Sequence, residues 1–196
     1  MSTQKRLFLL DAYALIFRGY YAFIKNPRIN SKGMDTSAIM GFMNALMDVI
    51  KREKPDHLAV AFDKGGSDYR YEMYKEYKAH RDETPEAIKI AVPYIQEILK
   101  AMHIPIMVKE GFEADDVIAT LVYWSLENDL KEGTLVPEPM PLLIISGDHD
   151  FNQLQKYKHV KQFSPTLKKF IKPEASIHEI LMEHIVKGDK GDGVPN

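Results

Sequence analysis

The sequence contains no cysteine, which excludes disulfide bonds, thiolate metal ligands and cysteine nucleophiles and favours a reducing, cytoplasmic location. It also lacks a large charge excess, because 26 basic and 28 acidic side chains leave a formal charge of −2. A polyanion would therefore have to bind to a local patch rather than to the overall field of the protein. The first apolar run, residues 7–10, is too short for a signal peptide or a membrane span, so no membrane partner is expected.

Several catalytic signatures are missing as well. The chain has no P-loop, no Gly-x-Gly-x-x-Gly segment and no Ser/His/Asp order, so ATP hydrolysis, dinucleotide binding and acyl transfer have no support. What is present is an ordinary globular composition, with 45% hydrophobic and 28% charged residues over 196 positions. That length and composition allow a substantial hydrophobic core.

Short apolar runs alternate along the chain with segments in which apolar residues recur at helical spacing. This alternation predicts an α/β fold, with a mainly parallel sheet and helices on both faces. The predicted strands are residues 7–10, 57–62, 104–108 (where Pro105 indicates an edge strand or a strand start) and 142–146, followed by a hairpin of 160–163 and 168–171. Helix starts are predicted at Thr36, at Thr84 followed by Pro85, and at the capping box of Ser176 and Glu179, and a proline-rich loop is expected at 131–141.

Acidic residues follow the predicted strands at the point where each strand ends. The set comprises Asp11 after the first strand, Asp63 after the second, Glu113, Asp115 and Asp116 after the third, and Asp148 and Asp150 after the fourth. Because the carboxyl ends of parallel strands share one edge of a sheet, we expect these side chains to converge there. Any one of them alone has an ordinary alternative as a turn, cap or helix-dipole residue.

The convergence of all these carboxylates has a chemical consequence. They would repel one another, and some would take up protons, unless cations neutralised them. Oxygen ligands with neither cysteine nor an obvious histidine pair suit Mg²⁺ or Mn²⁺ rather than zinc. The sequence therefore predicts a site for two ions about 4 Å apart, of the kind that catalyses phosphoryl transfer.

A basic and aromatic stretch lies between the second predicted strand and the helix that begins near Thr84. If it is helical, one face carries four of its side chains: Tyr74, Tyr77, Lys78 and Arg81. Lysine and arginine contact phosphates, and tyrosine rings stack on bases, so we interpret this stretch as a clamp for nucleic acid. The alternative is a solvated helix with surface ion pairs. Arg18 and Tyr21 follow Asp11 in the sequence. They either reach DNA or pack at the rim of the carboxylate site.

Six segments resemble, in their order and spacing, the 5′-nuclease (flap endonuclease) family. They are Leu9-Leu10-Asp11, Ala61-Phe62-Asp63, Tyr77-Lys78-Ala79-His80-Arg81, Glu113-Ala114-Asp115-Asp116, Gly147-Asp148-His149-Asp150 and Gly188-Asp189-Lys190-Gly191-Asp192. Up to about Leu121 the chain is most similar to the 5′-nuclease domain of bacterial DNA polymerase I. From about Leu142 it is more similar to the phage RNase H branch of the family.

The resemblance implies a PIN-like (Rossmann-like) fold with a helical arch at about residues 64–84. It implies structure-specific hydrolysis of DNA flaps, DNA ends or RNA–DNA hybrids from the 5′ side, in replication or repair. It assigns Mg²⁺ or Mn²⁺ to a tighter site of Asp11, Asp63, Glu113, Asp115 and Asp116 and to an outer site of Asp148, Asp150, Asp189 and Asp192. It gives Lys78 and Arg81 catalytic contact with the scissile phosphate, and Arg70 and Tyr74 a part in threading the single strand.

The sequence departs from the family pattern at its end. In the family, the Gly-Asp-x-x-Asp motif leads into a helix–hairpin–helix region that grips the duplex, whereas this sequence ends at Asn196. We therefore expect residues 1–196 to form a single nuclease domain, truncated at the start of that region, in which Asp189 and Asp192 lack their usual supports. A further segment or a partner chain would then supply the grip on the duplex.

Two other functions stay open at this stage. A PIN-type endoribonuclease would share the carboxylate rim but would not need the basic arch. A truncated fragment that binds branched nucleic acid without cutting it would need neither ion. The leading prediction is a metal-dependent nuclease that binds DNA with a 5′ single-stranded end or flap, or an RNA–DNA hybrid.

Overall fold

Helices and strands alternate along most of the chain in the computed structural model, which describes residues 5–131 and 139–195. The described elements are β1 (Leu7–Asp11), α1 (Ala12–Phe23), α2 (Ser37–Glu53), β2 (His57–Ala61), α3 (Asp68–Met73), α4 (Glu86–Ala101), β3 (Ile106–Met107), α5 (Ala114–Lys131), β4 (Leu142–Ile145), a 3₁₀ helix (His149–Lys156), β5 (Val160–Ser164), β6 (Lys169–Ile171) and α6 (Ile177–Lys187). Most of the predicted proline-rich loop, residues 132–138, lies outside the described residues.

One six-stranded sheet has the order β3-β2-β1-β4-β5-β6. Its first five strands are parallel, and β6 runs antiparallel to β5. In the register of the central strands, Leu10 of β1 lies beside Val60 of β2 and Ile145 of β4. The residues that follow these three strands therefore emerge side by side at one edge of the sheet.

Apolar side chains cover the sheet on both faces. Alternation along β1 points Phe8 and Leu10 to one face and Leu9 to the other. Phe8 and Leu10 pack in a cluster with buried residues of α1, α2 and α4, whereas Leu9 packs with α5 and the 3₁₀ helix, including Ile118 and Phe151. The predicted α/β architecture, mainly parallel with helices on both faces, is confirmed.

Helices α1 and α2 cross at two glycines. A Cβ atom added to Gly19 would lie 2.9 Å from the Cα atom of Gly41, and one added to Gly41 would overlap the backbone of Gly19. The absence of side chains at this crossing lets the two helix backbones touch. The contact fixes α1, the helix that begins at the rim residue Asp11, against the rest of the fold.

The strand predictions agree with the structure, and β5 and β6 form the predicted hairpin. The predicted edge strand after Pro105 does lie at the sheet edge but is only two residues long. None of the described helices is both long and apolar enough to cross a membrane.

Two predicted helix caps differ from the structure. Thr36 occupies the N-cap of α2, but its hydroxyl donates to the carbonyl of Arg28, and Asp35 accepts from the first N–H of α2 instead. Pro85 itself, rather than Thr84, is the N-cap of α4. The capping box of Ser176 and Glu179 is present as predicted, and α6 ends at Gly188.

Candidate active site

A cavity of about 780 Å³ opens at the carboxyl edge of the sheet. Of the nine predicted metal ligands, every one except Asp116 lines it: Asp11, Asp63, Glu113, Asp115, Asp148, Asp150, Asp189 and Asp192. These residues lie at the ends of β1, β2 and β4, at the start of α5 and after α6. The fold therefore brings together carboxylates that are up to 181 positions apart in the sequence, from Asp11 to Asp192.

Asp11 and Asp63 are fixed by local hydrogen bonds. One oxygen of Asp11 caps α1 by accepting from the N–H of Ala14 at 3.1 Å, and the other accepts from the buried hydroxyl of Ser146 at 2.9 Å. Asp63 accepts from the N–H of Ala114 at 2.8 Å, so it joins β2 to the start of α5. The side chain of Asp11 therefore both caps α1 and lines the site.

The loop after β4 is held by a side chain that the sequence analysis did not single out. Gln162 of β5 is fully buried and donates to the carbonyls of Ser146 and Asp148. Asp148 in turn accepts from the N–H of Asp150 at 2.9 Å, which caps the 3₁₀ helix. A polar residue between apolar neighbours in a predicted hairpin strand was the signal that could have identified Gln162.

One part of the rim carries negative charge without basic partners. Asp11, Asp63, Asp115 and Asp148 make no ion pair with lysine or arginine within residues 5–131 and 139–195. Burial raises the pKa of Asp115 to about 8, and the charges of Asp11 and Asp148 add to the increase. Burial likewise raises the pKa of Asp11 to about 6 and raises that of Asp63. These carboxylates form the uncompensated half of the rim.

The other part of the rim is neutralised by the arch segment, residues 64–84. Three basic side chains of this segment pair with three carboxylates: Arg70 with Asp116, Lys78 with Glu113, and Arg81 with Asp192. The Arg70–Asp116 pair is bidentate, with both N–O distances 2.7 Å, and this hydrogen bonding lowers the pKa of Asp116. The Lys78 ammonium lies 2.8 Å from Glu113. These residues form the compensated half.

The arch segment is not the continuous helix that would align its basic and aromatic residues. Helix α3 ends at Met73, and turns follow over residues 75–80. Lys78 adopts a left-handed backbone conformation, with φ of +55°. Tyr77 is buried, and its hydroxyl lies 3.1 Å from Glu113 and 2.9 Å from Asp192. The prediction that Tyr77 offers its ring to a base is therefore wrong for this conformation, because its tertiary hydrogen bonds turn the ring inward.

The remaining predicted nucleic-acid contacts are dispersed. Arg18 lines the cavity. Tyr21 is 55% exposed, lies outside the set of lining residues and stacks against Phe17. Tyr74 is half-buried, and its hydroxyl donates to Glu76.

Local hydrogen bonds hold Asp189 and Asp192 where the family's usual supports were expected to be missing. The backbone N–H of Asp189 donates to the carbonyl of Val194, and the reverse bond closes the turn, each at 2.8 Å. The arch segment then binds this turn, because the N–H of Lys78 donates to the carbonyl of Asp192 at 2.8 Å. The arch segment and the turn after α6 therefore hold each other in place.

The chemistry of the uncompensated half is that of a cation site. Its donors are carboxylate oxygens, which suit Mg²⁺ and Mn²⁺, and its excess negative charge would be relieved by a bound divalent ion. The residues present therefore fit the predicted metal, with Asp11, Asp63, Asp115 and Asp148 as the available ligands. Glu113 and Asp116, also predicted as ligands of the tighter site, pair with Lys78 and Arg70 in this structure.

The sequence matches the family of the 5′-3′ exonuclease, N-terminal resolvase-like domain, over residues 6–182. It is 34% identical to DNA polymerase I of Caldicellulosiruptor bescii over 97% of this chain and 22% of that protein. It is also 34% identical to the 5′-3′ exonuclease of Aquifex aeolicus, over 98% of this chain and 64% of that protein. The chain thus spans about a fifth of the first relative's length and just under two thirds of the second's.

Solved structures share the fold at lower identity. The D15 protein of bacteriophage T5, co-crystallised with metal ions, has a TM-score of 0.66 and 21% identity, over 98% of this chain and 69% of that one. The D15 flap endonuclease in a complex with DNA and metal ions has a TM-score of 0.62 at 21% identity, over 98% of this chain and 70% of that one. The catalytic core of Rad2 with a DNA substrate has a TM-score of 0.51 at 17% identity, over 94% and 53%.

Proposed function

The chain belongs to the 5′-3′ exonuclease family, and from this premise we propose that it hydrolyses phosphodiester bonds at the 5′ end of DNA, with divalent metal ions. The observation that carries the proposal is the uncompensated half of the rim. Four converging carboxylates without lysine or arginine partners in the described chain are unfavourable in their charged form unless divalent ions bind there. Such a site at the edge of a parallel sheet fits phosphoryl-transfer chemistry.

Each carboxylate has a proposed task. Asp11, Asp63, Asp115 and Asp148 would hold Mg²⁺ or Mn²⁺, with Asp150 and Asp189 toward an outer second ion. When bound, such ions would activate a water molecule for attack on the phosphorus and would neutralise charge on the phosphorus oxygens. Gln162 and Ser146 keep the ligands in place through their hydrogen bonds, because Gln162 fixes the loop after β4 to β5 and the Ser146 hydroxyl fixes it to Asp11 of β1.

The compensated half has a different proposed task. Glu113, Asp116 and Asp192 hold Lys78, Arg70 and Arg81 beside the cavity through ion pairs. A phosphate entering the cavity would compete with these carboxylates for the basic groups, and the side chain of Lys78 is only 17% exposed, on the cavity side. We propose that Lys78 and Arg81 contact the scissile phosphate, while Arg70 anchors the arch segment on Asp116.

The substrate is proposed as DNA with a 5′ single-stranded end or flap, or an RNA–DNA hybrid, in replication or repair. The DNA complexes of the T5 and Rad2 neighbours support a nucleic-acid ligand in this fold. We propose residues 1–196 as the nuclease domain, with residues 64–84 as its arch. A helix–hairpin–helix element, from a further segment or another chain, is proposed as the grip on the duplex.

A substrate comparison tests this function. The protein is incubated with a 5′-flap DNA and with a single-stranded RNA of the same sequence, in Mg²⁺, in Mn²⁺ and in EDTA. We expect cleavage of the flap with either ion, no cleavage in EDTA, and little cleavage of the RNA. Preferential cleavage of the RNA would favour the endoribonuclease, and binding without cleavage in either ion would favour the non-catalytic fragment.

A further inference from the structure

His184, near the end of α6, lies between two carboxylates of the outer part of the rim. Its Nε2 atom is 3.7 Å from Asp150 and 3.7 Å from Asp189. One ligand atom of each of these residues lies within 4.8 Å of the other two. His184 also lines the cavity at the carboxyl edge of the sheet and a second cavity beside it.

A tight turn after α6 creates this juxtaposition. Gly188 has φ of +67°, and a Cβ atom there would overlap the backbone of Val194 and Pro195. A glycine is therefore needed for the chain to reverse at this point. The reversal brings Asp189 back toward His184, while Asp150 approaches from the 3₁₀ helix.

The distances fit an ion between the three groups better than direct contact. At 3.7 Å the imidazole is too far from either carboxylate for a hydrogen bond. Adjacent ligand atoms that share a tetrahedral or octahedral ion at about 2.0 to 2.2 Å are about 2.8 to 3.6 Å apart. The two imidazole–carboxylate separations lie just outside that range, and the side chain of His184 is half-exposed.

We propose that His184 is a nitrogen ligand of the outer ion, together with Asp150 and Asp189, and that it makes this position selective for Mn²⁺ over Mg²⁺. Imidazole nitrogen suits transition metals, whereas Mg²⁺ prefers oxygen ligands and retains its water. The inference rests on the proposed function, which places Asp150 and Asp189 at an outer ion. It adds a ligand that the carboxylate motifs do not contain and an order of preference between two ions.

A different role for His184 predicts the opposite result. If His184 were a charge partner of Asp150 and Asp189, its imidazolium would compete with divalent ions for them. Replacing it would then strengthen the binding of Mg²⁺ and Mn²⁺ alike. If it is a ligand, replacing it weakens the binding of Mn²⁺ and leaves that of Mg²⁺ nearly unchanged.

Electron paramagnetic resonance of Mn²⁺ provides the test. Mn²⁺ binding in the presence of excess Mg²⁺ is measured for the wild type, for His184→Ala, and for His178→Ala as a control on the exposed surface of the same helix. Pulsed spectra of the bound ion report directly whether a nitrogen nucleus is coordinated. Thermal melting of each variant checks that it is folded.

We expect a nitrogen coupling in the wild type and in His178→Ala that disappears in His184→Ala. We also expect one class of Mn²⁺ sites to weaken by about tenfold or more in His184→Ala, since loss of even an outer partner of a metal ligand costs about 10- to 100-fold. An unchanged spectrum, unchanged Mn²⁺ affinity, or tighter binding of both ions would overturn the inference.

Cleavage of the 5′-flap DNA is measured in the same samples, so that the two proposals can fail separately. Nitrogen-coordinated Mn²⁺ without cleavage would contradict the nuclease function and leave the ligand assignment standing. Cleavage without nitrogen coordination would contradict the ligand assignment and leave the nuclease function standing.

Discussion

Asp115 and Asp116 are neighbours at the start of α5, yet their carboxylates lie in opposite electrostatic surroundings. Asp115 points into the uncompensated half, where burial and neighbouring carboxylates raise its pKa to about 8. Asp116 accepts both hydrogen bonds of Arg70, which lower its pKa. Adjacent residues on a helix point in directions about 100° apart, so one step along the chain changes the surroundings completely.

The same substitution at these two positions should therefore change stability in opposite directions. In EDTA above about pH 8, where the Asp115 carboxylate is charged, Asp115→Asn should raise Tm by a few degrees because it removes repulsion, whereas Asp116→Asn should lower it because Arg70 loses its charged partner. Differential scanning fluorimetry measures both changes. Asp48→Asn, which breaks an exposed Asp48–Arg52 pair on α2, is the control and should shift Tm by about 1 °C or less.

Turnover separates the two positions from their effects on stability. Asp115→Asn should lower flap cleavage by about 1,000-fold while retaining DNA binding, since charge stabilisation by the ion is worth several kcal/mol. A shift of Tm in the same direction for Asp115→Asn and Asp116→Asn would contradict the division of the rim into two halves.

Helix α1 depends on its close approach to α2. Gly41→Ala would normally stabilise a helix by about 1 kcal/mol, but here the added methyl group would overlap the backbone of Gly19. Because overpacking of this kind costs about 1 to 3 kcal/mol, we expect Tm to fall by about 2 to 12 °C. Asn44→Ala, on the exposed face of α2, should leave Tm unchanged or slightly higher. A neutral Gly41→Ala would show that the helices can separate freely.

The arch segment should contribute both to binding and to the chemical step through Lys78. Lys78→Ala should slow turnover by about 10- to 100-fold and reduce the slope of log K against log salt concentration by about 1, because one phosphate contact is lost. Lys75→Ala, an exposed residue of the same segment, is the matched control. The arch assignment fails if Lys78→Ala keeps both the turnover and the salt slope of the wild type.

The elements that the sequence predicts well are those whose burial is repeated along the chain. Strand β4 is apolar at every position, and β1 is apolar up to Leu10. Helix α1 was not singled out, because the exposed aromatic side chain of Tyr21 interrupts its apolar period. Helix α3 is short and ends at Met73, since the turn that follows is held by the tertiary contacts of Tyr77 and Lys78.

The position of the rim carboxylates could be predicted from the sequence, because each follows a strand or opens a helix at the same sheet edge. The division of the rim into two halves could not be predicted from the sequence. It depends on which carboxylates the arch segment reaches, and Lys78 meets Glu113 across 35 positions of sequence while Arg70 meets Asp116 across 46. His184 was missed for the same reason, since Asp189 approaches it through the turn after α6 and Asp150 approaches it from the 3₁₀ helix.

Across the entire chain, the raised pKa values of Asp11 and Asp115 couple folding to pH. Both groups bind protons more tightly in the folded protein than in the unfolded chain, where the pKa is 3.8. Their protonation therefore stabilises the fold below that value, and the stabilisation is lost as pH rises through about 6 and about 8. Bound divalent ions should replace the lost protons.

Thermal melting at several pH values tests this coupling. In EDTA, deprotonation of Asp11 and Asp115 should lower Tm as pH rises from about 5 to about 8.5. A divalent ion at 100 times its Kd stabilises by about 2.7 kcal/mol, so Mg²⁺ or Mn²⁺ should raise Tm by about 5 to 10 °C at the higher pH and by less at the lower pH. Asp115→Asn should flatten the pH slope in EDTA. A divalent-ion effect that is equal at every pH would contradict the coupling.

The location of bound Mn²⁺ in crystals of the protein, found by anomalous scattering, decides whether the uncompensated half holds a metal ion. We predict an anomalous peak within coordination distance of Asp11, Asp63, Asp115 and Asp148, with the Arg70–Asp116 pair still intact. No peak among these four carboxylates at saturating Mn²⁺ would contradict the account, and so would a peak only at Asp116 with Arg70 displaced.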